Sequence, residues 1–178
     1  MRIERVKYEE AAAVLEGLVE VLVDCVNRGT GTSISFYPPL DPKRAKKFWQ
    51  EKFADLATGK RILLVARETH RIAGTVMVEF MSTDNQPHRG EVQKLLVHGD
   101  FRRRGLATAL MAAIEEASLE AERTLLVLDT LKDSPAESLY RQLGWQEVGE
   151  IPFFVRSPDG LYDSTVVFYK NLLAEIKV

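Results

Sequence analysis

Residues 92–110 read VQKLLVHGDFRRRGLATAL, and this stretch decides how the rest of the chain is arranged. Its first residues form a short apolar strand, and a turn follows at residues 98–100. Gly105 then opens a helix whose apolar side chains recur at helical spacing. A strand, a basic glycine-containing turn and a helix point free backbone N–H groups and the positive end of a helix dipole at one spot. The pattern therefore predicts a phosphate-bearing ligand at the N-terminus of this helix.

Three consecutive arginines, Arg102, Arg103 and Arg104, precede that glycine. Guanidinium groups placed here would add charge-assisted hydrogen bonds to phosphate oxygens. The alternative is a solvated basic patch on a surface turn, which the sequence geometry alone leaves open. Neither a P-loop motif nor a G-x-G-x-x-G dinucleotide motif occurs in the chain, so the predicted phosphates belong to another kind of ligand.

Two motifs in this part of the chain resemble those of one enzyme family. Residues 102–107, RRRGLA, fit the [QR]-x-x-G-x-[GA] signature of the GNAT N-acetyltransferases. Further along, residues 136–145 read AESLYRQLGW and are similar to the second family motif, A-x-x-L-Y-x-x-x-G-[FW]. The similarity to one subgroup, the tabtoxin-resistance-type acetyltransferases, is found in residues 91–95, 128–130 and 157–160.

Hydrophobic periodicity predicts the element order β-α-α-β-β-β-α-β-α-β-β. The predicted helices cover residues 9–27, 42–58, 105–121 and 135–143. The predicted strands cover residues 2–6, 61–68, 72–81, 92–97, 125–130, 146–151 and 165–170. We expect a mixed α/β fold with a central, mostly antiparallel, twisted sheet of about seven strands, flanked by about four helices. The resemblance to the GNAT family implies that its parallel pair, residues 92–97 and 125–130, splays apart and holds the cofactor in the gap.

The composition is that of a globular protein. The chain has 178 residues, of which 46% are hydrophobic and 28% charged, and its formal net charge is −2. This length favours a single domain over residues 1–178, and a charge this close to zero argues against a nucleic-acid-binding protein. The one cysteine, Cys25, permits no internal disulfide, and the sequence shows no signal region or membrane-spanning stretch. We therefore expect a cytoplasmic protein with no metal and no nucleic-acid or membrane partner, and we expect Cys25 to lie in the core.

The resemblance implies that the phosphate ligand is acetyl-CoA, bound as a co-substrate. In the family, the edge of the splayed strand pairs with the pantetheine arm, and its free amides stabilise the oxyanion of the reaction. These roles transfer to Leu95, Leu96 and Val97. Asp133 stands where many relatives carry a pantetheine-binding asparagine, and it lacks the amide donor. The residues expected to hold the phosphates are Arg102, Arg103, Arg104, Gly105, Ala107 and Thr108.

Acetyl transfer to an amine requires a base, stabilisation of an oxyanion, and an acid for the departing thiolate. In the family the amine attacks the thioester directly within a ternary complex. Tyr140 matches the tyrosine of the second motif, whose hydroxyl faces the cofactor sulfur, and is the predicted acid. Asp129 and Glu91 are the candidate bases, and desolvation at the end of a buried strand would raise the pKa of Asp129. His98 is a weaker candidate, since it directly precedes the phosphate loop.

The acceptor should enter opposite the cofactor, over residues 31–40 and 151–156. Glu91, Asp129 and Glu150 are candidates to bind an ammonium group, which favours a small amine or an amino acid as the acceptor. The resemblance extends to enzymes that acetylate an antimetabolite or antibiotic-like amine. The aromatic residues expected to line the acceptor site are Phe36, Tyr37, Trp145 and Phe153.

Other functions remain open at the level of sequence. A protein N-terminal or lysine acetyltransferase would share both motifs, although the apolar segment 29–40 is better suited to closing a pocket than to leaving a peptide groove. A non-catalytic acyl-CoA-binding module would also keep the phosphate loop, but Tyr140, Asp129 and Glu91 favour an enzyme. An anion or nucleic-acid binder acting through residues 102–104 would lose affinity steeply with salt. A homodimer is compatible with the resemblance, since dimers are common among similar proteins.

Overall fold

The computed structural model describes residues 1–29 and 35–175, which contain four α-helices and seven β-strands. Within these ranges no helix combines the length and the apolar character that a membrane crossing requires. The strands form one sheet in the order β1-β2-β3-β4-β5-β7-β6. The elements are β1 (Arg2–Arg5), α1 (Ala11–Asn27), α2 (Pro42–Ala57), β2 (Arg61–Glu68), β3 (Arg71–Phe80), β4 (Arg89–Val97), α3 (Leu106–Glu120), β5 (Leu125–Leu131), α4 (Pro135–Gln142), β6 (Gln146–Arg156) and β7 (Tyr162–Asn171).

The predicted mixed α/β fold and its element order are confirmed. The largest difference in length concerns β6 and β7, which extend beyond the predicted residues 146–151 and 165–170. They continue as a hairpin in which Val155 pairs with Asp163, so backbone pairing goes on where the apolar alternation has ended. Sequence periodicity reports side-chain burial, and it therefore misses a strand whose side chains are mostly exposed.

The parallel strands β4 and β5 splay apart as predicted. Their pairing is limited to Arg89–Leu125, Gly90–Leu126 and Glu91–Val127. On its other side, β4 pairs with β3, and the register shifts between Thr75 and Met77. Lys94 lies opposite this shift and has a φ of 52°, which marks a β-bulge. A bulge bends the strand that carries it, so β4 turns away from β5 just beyond their last pair.

Two hydrophobic layers hold the sheet between the helices. On one face α1 and α2 bury Leu18, Trp49 and Cys25, and the expected core position of Cys25 is confirmed. On the other face α3 packs Leu110 and Ile114 against the sheet. Burial of each large apolar side chain contributes about 1.5–3 kcal/mol. The gap between β4 and β5 therefore lies between two well-packed layers.

Gly74 on β3 keeps β3, β4 and α3 in close contact. A Cβ atom at this position would lie 2.7 Å from the carbonyl oxygen of Leu96 and 3.2 Å from Leu110. The Leu96 oxygen belongs to the backbone of β4, so it cannot move without disturbing the β3–β4 register. We expect Gly74→Ala to lower the free energy of unfolding by about 1–3 kcal/mol. Urea denaturation should show a lower midpoint at an unchanged m-value, and an equal midpoint would contradict this packing argument.

Candidate active site

The gap between β4 and β5 opens into a cavity of about 710 Å³. Glu91, Leu95 and Asp129 line it at the point where the two strands part. Tyr140 from α4 and Phe154 from β6 line other parts of it, together with one face of α2. A cavity of this size is typical of sites for small molecules. It is the candidate active site.

Tyr140 is buried at the boundary of this cavity. Its ring centroid lies 5.9 Å from that of Trp145 and 6.1 Å from that of Phe168. Burial, and then the nearby charge of Asp129, raise the pKa of the Tyr140 hydroxyl above its usual range. The hydroxyl is therefore protonated at neutral pH, and it has no hydrogen-bond partner within residues 1–29 and 35–175. Such a hydroxyl is available to donate a proton to a group bound in the cavity.

Helix α4 begins where the sequence predicted, at a serine N-cap followed by a proline. Ser134 Oγ accepts a hydrogen bond from the backbone N–H of Glu137 at 3.2 Å. The same oxygen lies 3.2 Å from Thr130 Oγ1 on β5. These contacts attach the start of α4 to the strand that carries Asp129. The local sequence thus fixes how Tyr140 and Asp129 are placed relative to each other.

Asp129 lies on β5 and lines the cavity. Its Oδ2 accepts a hydrogen bond from Thr165 Oγ1 on β7 at 2.8 Å, which holds the carboxylate in place. The side chain is exposed, so the expected desolvation of this carboxylate is wrong for the free protein. The reason is that β4 has parted from β5 at this level and leaves this part of β5 open to solvent. Exclusion of water here would have to come from a bound ligand.

Glu91 is the last residue of β4 that pairs with β5. Gln93 Nε2 donates a hydrogen bond to Glu91 Oε1 at 2.9 Å, and Arg61 Nη1 donates to Gln93 Oε1 at 3.4 Å. The Arg61 side chain is buried and forms ion pairs with Asp55 at 3.0 Å and Glu79 at 2.7 Å. A chain of polar contacts beneath the sheet therefore orients the Glu91 carboxylate at the point where the strands part.

His98 lies outside the cavity lining. It is buried, its Nδ1 accepts a hydrogen bond from the Asp100 N–H at 3.2 Å, and its Nε2 lies 3.5 Å from Asp24 of α1. These contacts attach the turn after β4 to α1. Of the three candidate bases, the structure brings Asp129 and Glu91 to the cavity and leaves His98 apart from it.

The three arginines of the phosphate loop, residues 102–104, have different surroundings. Arg102 Nε donates a hydrogen bond to the Val97 carbonyl at 3.0 Å, so this side chain is directed back toward the end of β4. Arg103 is exposed and has a φ of 58°. Arg104 is also exposed, and its Nη1 lies 3.3 Å from Glu68. Arg103 and Arg104 are thus accessible to an anion from solvent, whereas Arg102 stabilises the turn.

Helix α3 starts after Gly105, whose φ of 73° is readily adopted by glycine. No side chain caps this N-terminus, so the first N–H groups of the helix lack a side-chain acceptor. A Cβ atom on Gly105 would meet no atom within 4 Å, so the surface of the loop is open at this point. Ala107 is half-buried and Thr108 is exposed in the first turn of the helix. This is the arrangement that an anion site at a helix N-terminus requires.

The other residues expected to bind the cofactor differ in whether their side chains or only their backbone groups are accessible to a ligand. Leu95 lines the cavity, whereas the side chain of Leu96 is fully buried beneath α1, which leaves only its backbone for a ligand. Val97 is half-buried. Asp133 is exposed with a φ of 60°, and its N–H donates a hydrogen bond to Glu137 Oε2 at 2.6 Å.

Two of the aromatic residues expected at the acceptor site line the cavity, Phe36 and Tyr37. Phe36 packs edge to face against Phe48 of α2, with ring centroids 5.4 Å apart. The Tyr37 hydroxyl donates a hydrogen bond to the backbone carbonyl of Arg156 at 2.5 Å. This bond joins the segment before α2 to the end of β6. The acceptor was expected to enter over residues 31–40, and residues 31–34 of that segment lie outside the described residues.

Trp145 and Glu150 do not line the cavity. Trp145 is buried in the layer beneath α3, where its indole N–H donates a hydrogen bond to Glu115 at 2.9 Å. Glu150 forms an ion pair with Lys132 at 2.5 Å. The tryptophan of the second motif thus packs in the core behind Tyr140, and Glu150 already has a cationic partner on the surface.

Phe153 is 76% exposed and packs on Tyr162, and its neighbour Phe154 lines the cavity in its place. The register of β6 against β7 shifts between Ile151 and Val155, and Phe153 has a φ of 57° within this irregular stretch. A residue inserted in a strand changes which side chains face each side of the sheet. The irregular stretch of β6 therefore brings Phe154 to the cavity and leaves Phe153, the expected residue, outside it.

Several lining residues had not been predicted as site residues, among them Arg44, Phe48, Lys52 and Lys94. The first three are spaced four residues apart on α2, so they share one helix face, and this spacing is visible in the sequence. Lys94 interrupts an otherwise apolar strand, which is the signal that could have identified it. Its Nζ donates a hydrogen bond to Ser35 Oγ at 2.6 Å on the α2 side of the gap.

Three solved structures illustrate how widely this fold is shared. The ribosomal-protein-alanine N-acetyltransferase of Brucella melitensis is 17% identical, with a TM-score of 0.74 over 97% of this chain and 100% of its own. A Salmonella typhimurium protein named as an acetyltransferase and solved with its cofactor acetyl-CoA is 17% identical, with a TM-score of 0.75 over 97% and 94%. A protein named as a phosphinothricin N-acetyltransferase is 16% identical, with a TM-score of 0.73 over 96% and 98%.

The TM-scores of 0.73–0.75 establish a common fold. The family itself is shown by a sequence model described as an acetyltransferase (GNAT) domain, which matches residues 59–147. That match covers half of the chain and includes the splayed strands, the phosphate loop and α4 with Tyr140. The chain therefore belongs to the GNAT family of acetyltransferases.

Proposed function

We propose that this protein transfers an acetyl group from acetyl-CoA to the amine of a small molecule, by direct attack of the amine on the thioester in a ternary complex. The observation that carries the proposal is the meeting of Tyr140, Asp129 and Glu91 at one cavity, in the gap between β4 and β5. These groups supply the acid and the base that an uncatalysed aminolysis lacks.

The pantetheine arm and the pyrophosphate of acetyl-CoA each have a candidate binding region on this chain. Beyond Glu91, the side of β4 that faces β5 has no strand partner, so its backbone groups are free to pair with an amide-containing arm such as pantetheine. At the other end, backbone N–H groups of Arg103, Arg104 and Gly105 would hold the pyrophosphate at the start of α3. The cofactor supplies the activated acetyl thioester, and the protein supplies its position and the proton transfers.

A small acceptor is favoured by how the cavity is bounded. The hydrogen bond from Tyr37 to the Arg156 carbonyl joins the segment before α2 to β6 across the acceptor side. An extended peptide would need an open groove at this place. The cavity that the described residues line has a volume of about 710 Å³, which suits a small molecule.

In the proposed reaction Asp129 accepts a proton from the acceptor ammonium group. The neutral amine attacks the thioester carbonyl, and backbone N–H groups near Leu96 and Val97 stabilise the oxyanion. The C–S bond then breaks, and the Tyr140 hydroxyl protonates the departing thiolate. The nitrogen loses its second proton as the amide forms, and a proton from solvent restores the Tyr140 hydroxyl. Asp129 is preferred to Glu91 because its charge lies close enough to Tyr140 to affect the pKa of that hydroxyl. Glu91 then helps to hold the ammonium group.

Asp129→Asn should lower kcat by about a hundredfold or more, since the amide keeps the shape of the side chain but cannot accept the proton at neutral pH. Thiol release under saturating acetyl-CoA would measure this, and the Kd for acetyl-CoA should stay the same. Glu91→Gln is the matched comparison, with a smaller expected loss. A larger loss in Glu91→Gln than in Asp129→Asn would assign the base to Glu91.

The experiment that tests the whole proposal is calorimetric titration with acetyl-CoA, followed by thiol-release assays on small amines, amino acids and peptides. Binding together with turnover of a small amine or amino acid would support it. Turnover of peptides alone would instead indicate a protein acetyltransferase, and binding without turnover an acyl-CoA-binding module. Absence of acetyl-CoA binding would overturn the proposal.

A further inference from the structure

Three cationic side chains converge on the acceptor side of the cavity, Arg44 and Lys52 from α2 and Lys94 from the bulge of β4. The Nζ atoms of Lys52 and Lys94 lie 5.7 and 5.6 Å from the centroid of the Phe48 ring. Arg44 Cζ lies 5.7 Å from the centroid of Phe36, the ring that packs edge to face on Phe48. The three charges thus surround a pair of aromatic rings, which we call the Phe36–Phe48 platform.

Within residues 1–29 and 35–175, no carboxylate forms an ion pair with Arg44, Lys52 or Lys94. Among the lysines of α2 that lie outside the cavity lining, Lys46 is paired with Glu16 at 2.5 Å and Lys47 with Glu51 at 3.9 Å, whereas Lys43 forms no ion pair with the described residues. What distinguishes Arg44, Lys52 and Lys94 is therefore that three cations without an ion pair line the same cavity.

The surroundings of Lys94 favour the binding of an anion. Burial, and then the neighbouring charge of Lys52, lower the pKa of Lys94 to about 8, although Asp129 acts in the opposite direction. At neutral pH the ammonium group is still mostly charged. Holding it in a buried position beside Lys52 costs free energy, which a bound anion would offset.

The opposite charge lies elsewhere in the same cavity. Asp129 and Glu91 line it where β4 and β5 part, while Lys52 and Arg44 line it from α2. A ligand that is complementary in charge to the acidic and the basic parts of this cavity has a cationic group and an anionic group in one small molecule. Aromatic rings between the cations provide an apolar surface for the carbon skeleton that joins them.

We propose that the acceptor is an amino-acid-type zwitterion, whose ammonium group lies at Asp129 and Glu91 and whose carboxylate or comparable oxyanion is bound by Lys52 and Lys94, with Arg44 at the edge of the Phe36–Phe48 platform. This rests on the proposed function, and it specifies the acceptor class for that site. Lys52, Lys94 and Arg44 are then specificity-determining residues: they hold the acceptor by its anionic group and take no part in proton transfer.

The test uses the full-length protein and acceptors in matched series: free amino acids, their primary amides, and the amines that lack the carboxyl carbon. Thiol release should show a kcat/KM for the free acid at least about tenfold above that of its amide and its amine, as expected for one or two charge-assisted contacts. A neutral amide or amine that reacts as well as its acid would overturn this inference and leave the proposed function intact. Absence of thiol release with every member of all series would overturn the proposed function as well.

Variants locate the anion site. Lys52→Met keeps the aliphatic stem and removes the charge, and the ratio of kcat/KM for acid over amide should fall about tenfold. Arg44→Gln should lower the same ratio by a smaller factor because Arg44 lies at the Phe36 ring, whereas Lys52 and Lys94 share the Phe48 ring. Lys47→Met, on the outer side of α2, is the control and should keep the ratio of the unmodified protein. An unchanged ratio in both Lys52→Met and Arg44→Gln would overturn the assignment.

Discussion

Replacing Tyr140 by phenylalanine should lower kcat by about a hundredfold to ten-thousandfold, the range expected when a general acid is removed. The substitution removes only the hydroxyl, and the ring keeps its place between Trp145 and Phe168. Burial holds this hydroxyl protonated at neutral pH, and no protein group among the described residues competes for it. Thiolate departure would then lack its proton donor, so chemistry becomes slower while the Kd for acetyl-CoA stays the same.

Steady-state thiol release and calorimetry together measure these two quantities. Tyr169→Phe is a matched control, because Tyr169 donates its hydroxyl hydrogen to Gln146 on the β6–β7 hairpin and does not line the cavity. It should behave like the unmodified protein. An unchanged kcat in Tyr140→Phe would remove Tyr140 as the acid and leave it as a buried core tyrosine.

Replacing Gly105 by valine should raise the Kd for acetyl-CoA about tenfold to a hundredfold. A β-branched residue at a φ of 73° is strained, and its Cβ would extend into the open surface of the phosphate loop. Backbone N–H groups there would no longer reach phosphate oxygens, and each charge-assisted hydrogen bond lost costs about 1.5–3 kcal/mol. Calorimetric titration of the folded variant measures the effect directly.

Gly59 provides the matched control for this substitution. It has a φ of 68°, and a Cβ there would likewise meet no atom within 4 Å, but it lies between α2 and β2, outside the phosphate loop. Gly59→Val should therefore show similar backbone strain with an unchanged Kd. Equal affinities in Gly105→Val and Gly59→Val would mean that the phosphates bind elsewhere, and residues 102–104 would be a solvated basic patch.

The sequence was sufficient to predict the element order, because the signals involved are local. Ser134 and Asp41 each cap a helix through a backbone N–H, and each is followed by a proline at the first helical position. The apolar run of β5 and the basic turn after β4 likewise predicted their elements. The splay of the parallel pair was predicted from the family resemblance, and the structure shows it in the limited pairing of β4 with β5.

Side-chain placement was less predictable, because it depends on irregularities that leave no local signature. The shift in β6 exchanges Phe153 for Phe154, and the bulge in β4 turns Lys94 toward α2. The exposure of Asp129 depends on how far β4 has moved away, which is a property of two strands together. Lys52 and Arg44 were overlooked since charged residues on a helix are normally read as a solvated face.

The limited pairing of β4 with β5 also affects the resistance of the protein to heat and to proteolysis. Three residue pairs join the strands β1–β4 to the strands β5–β7 within the sheet. A ligand seated between β4 and β5 acts as a substitute strand, and its binding free energy is added to the work of separating the two parts. Resistance to proteolysis and to heat then becomes a function of free acetyl-CoA concentration. Scarcity of the co-substrate would lower the amount of enzyme as well as its rate.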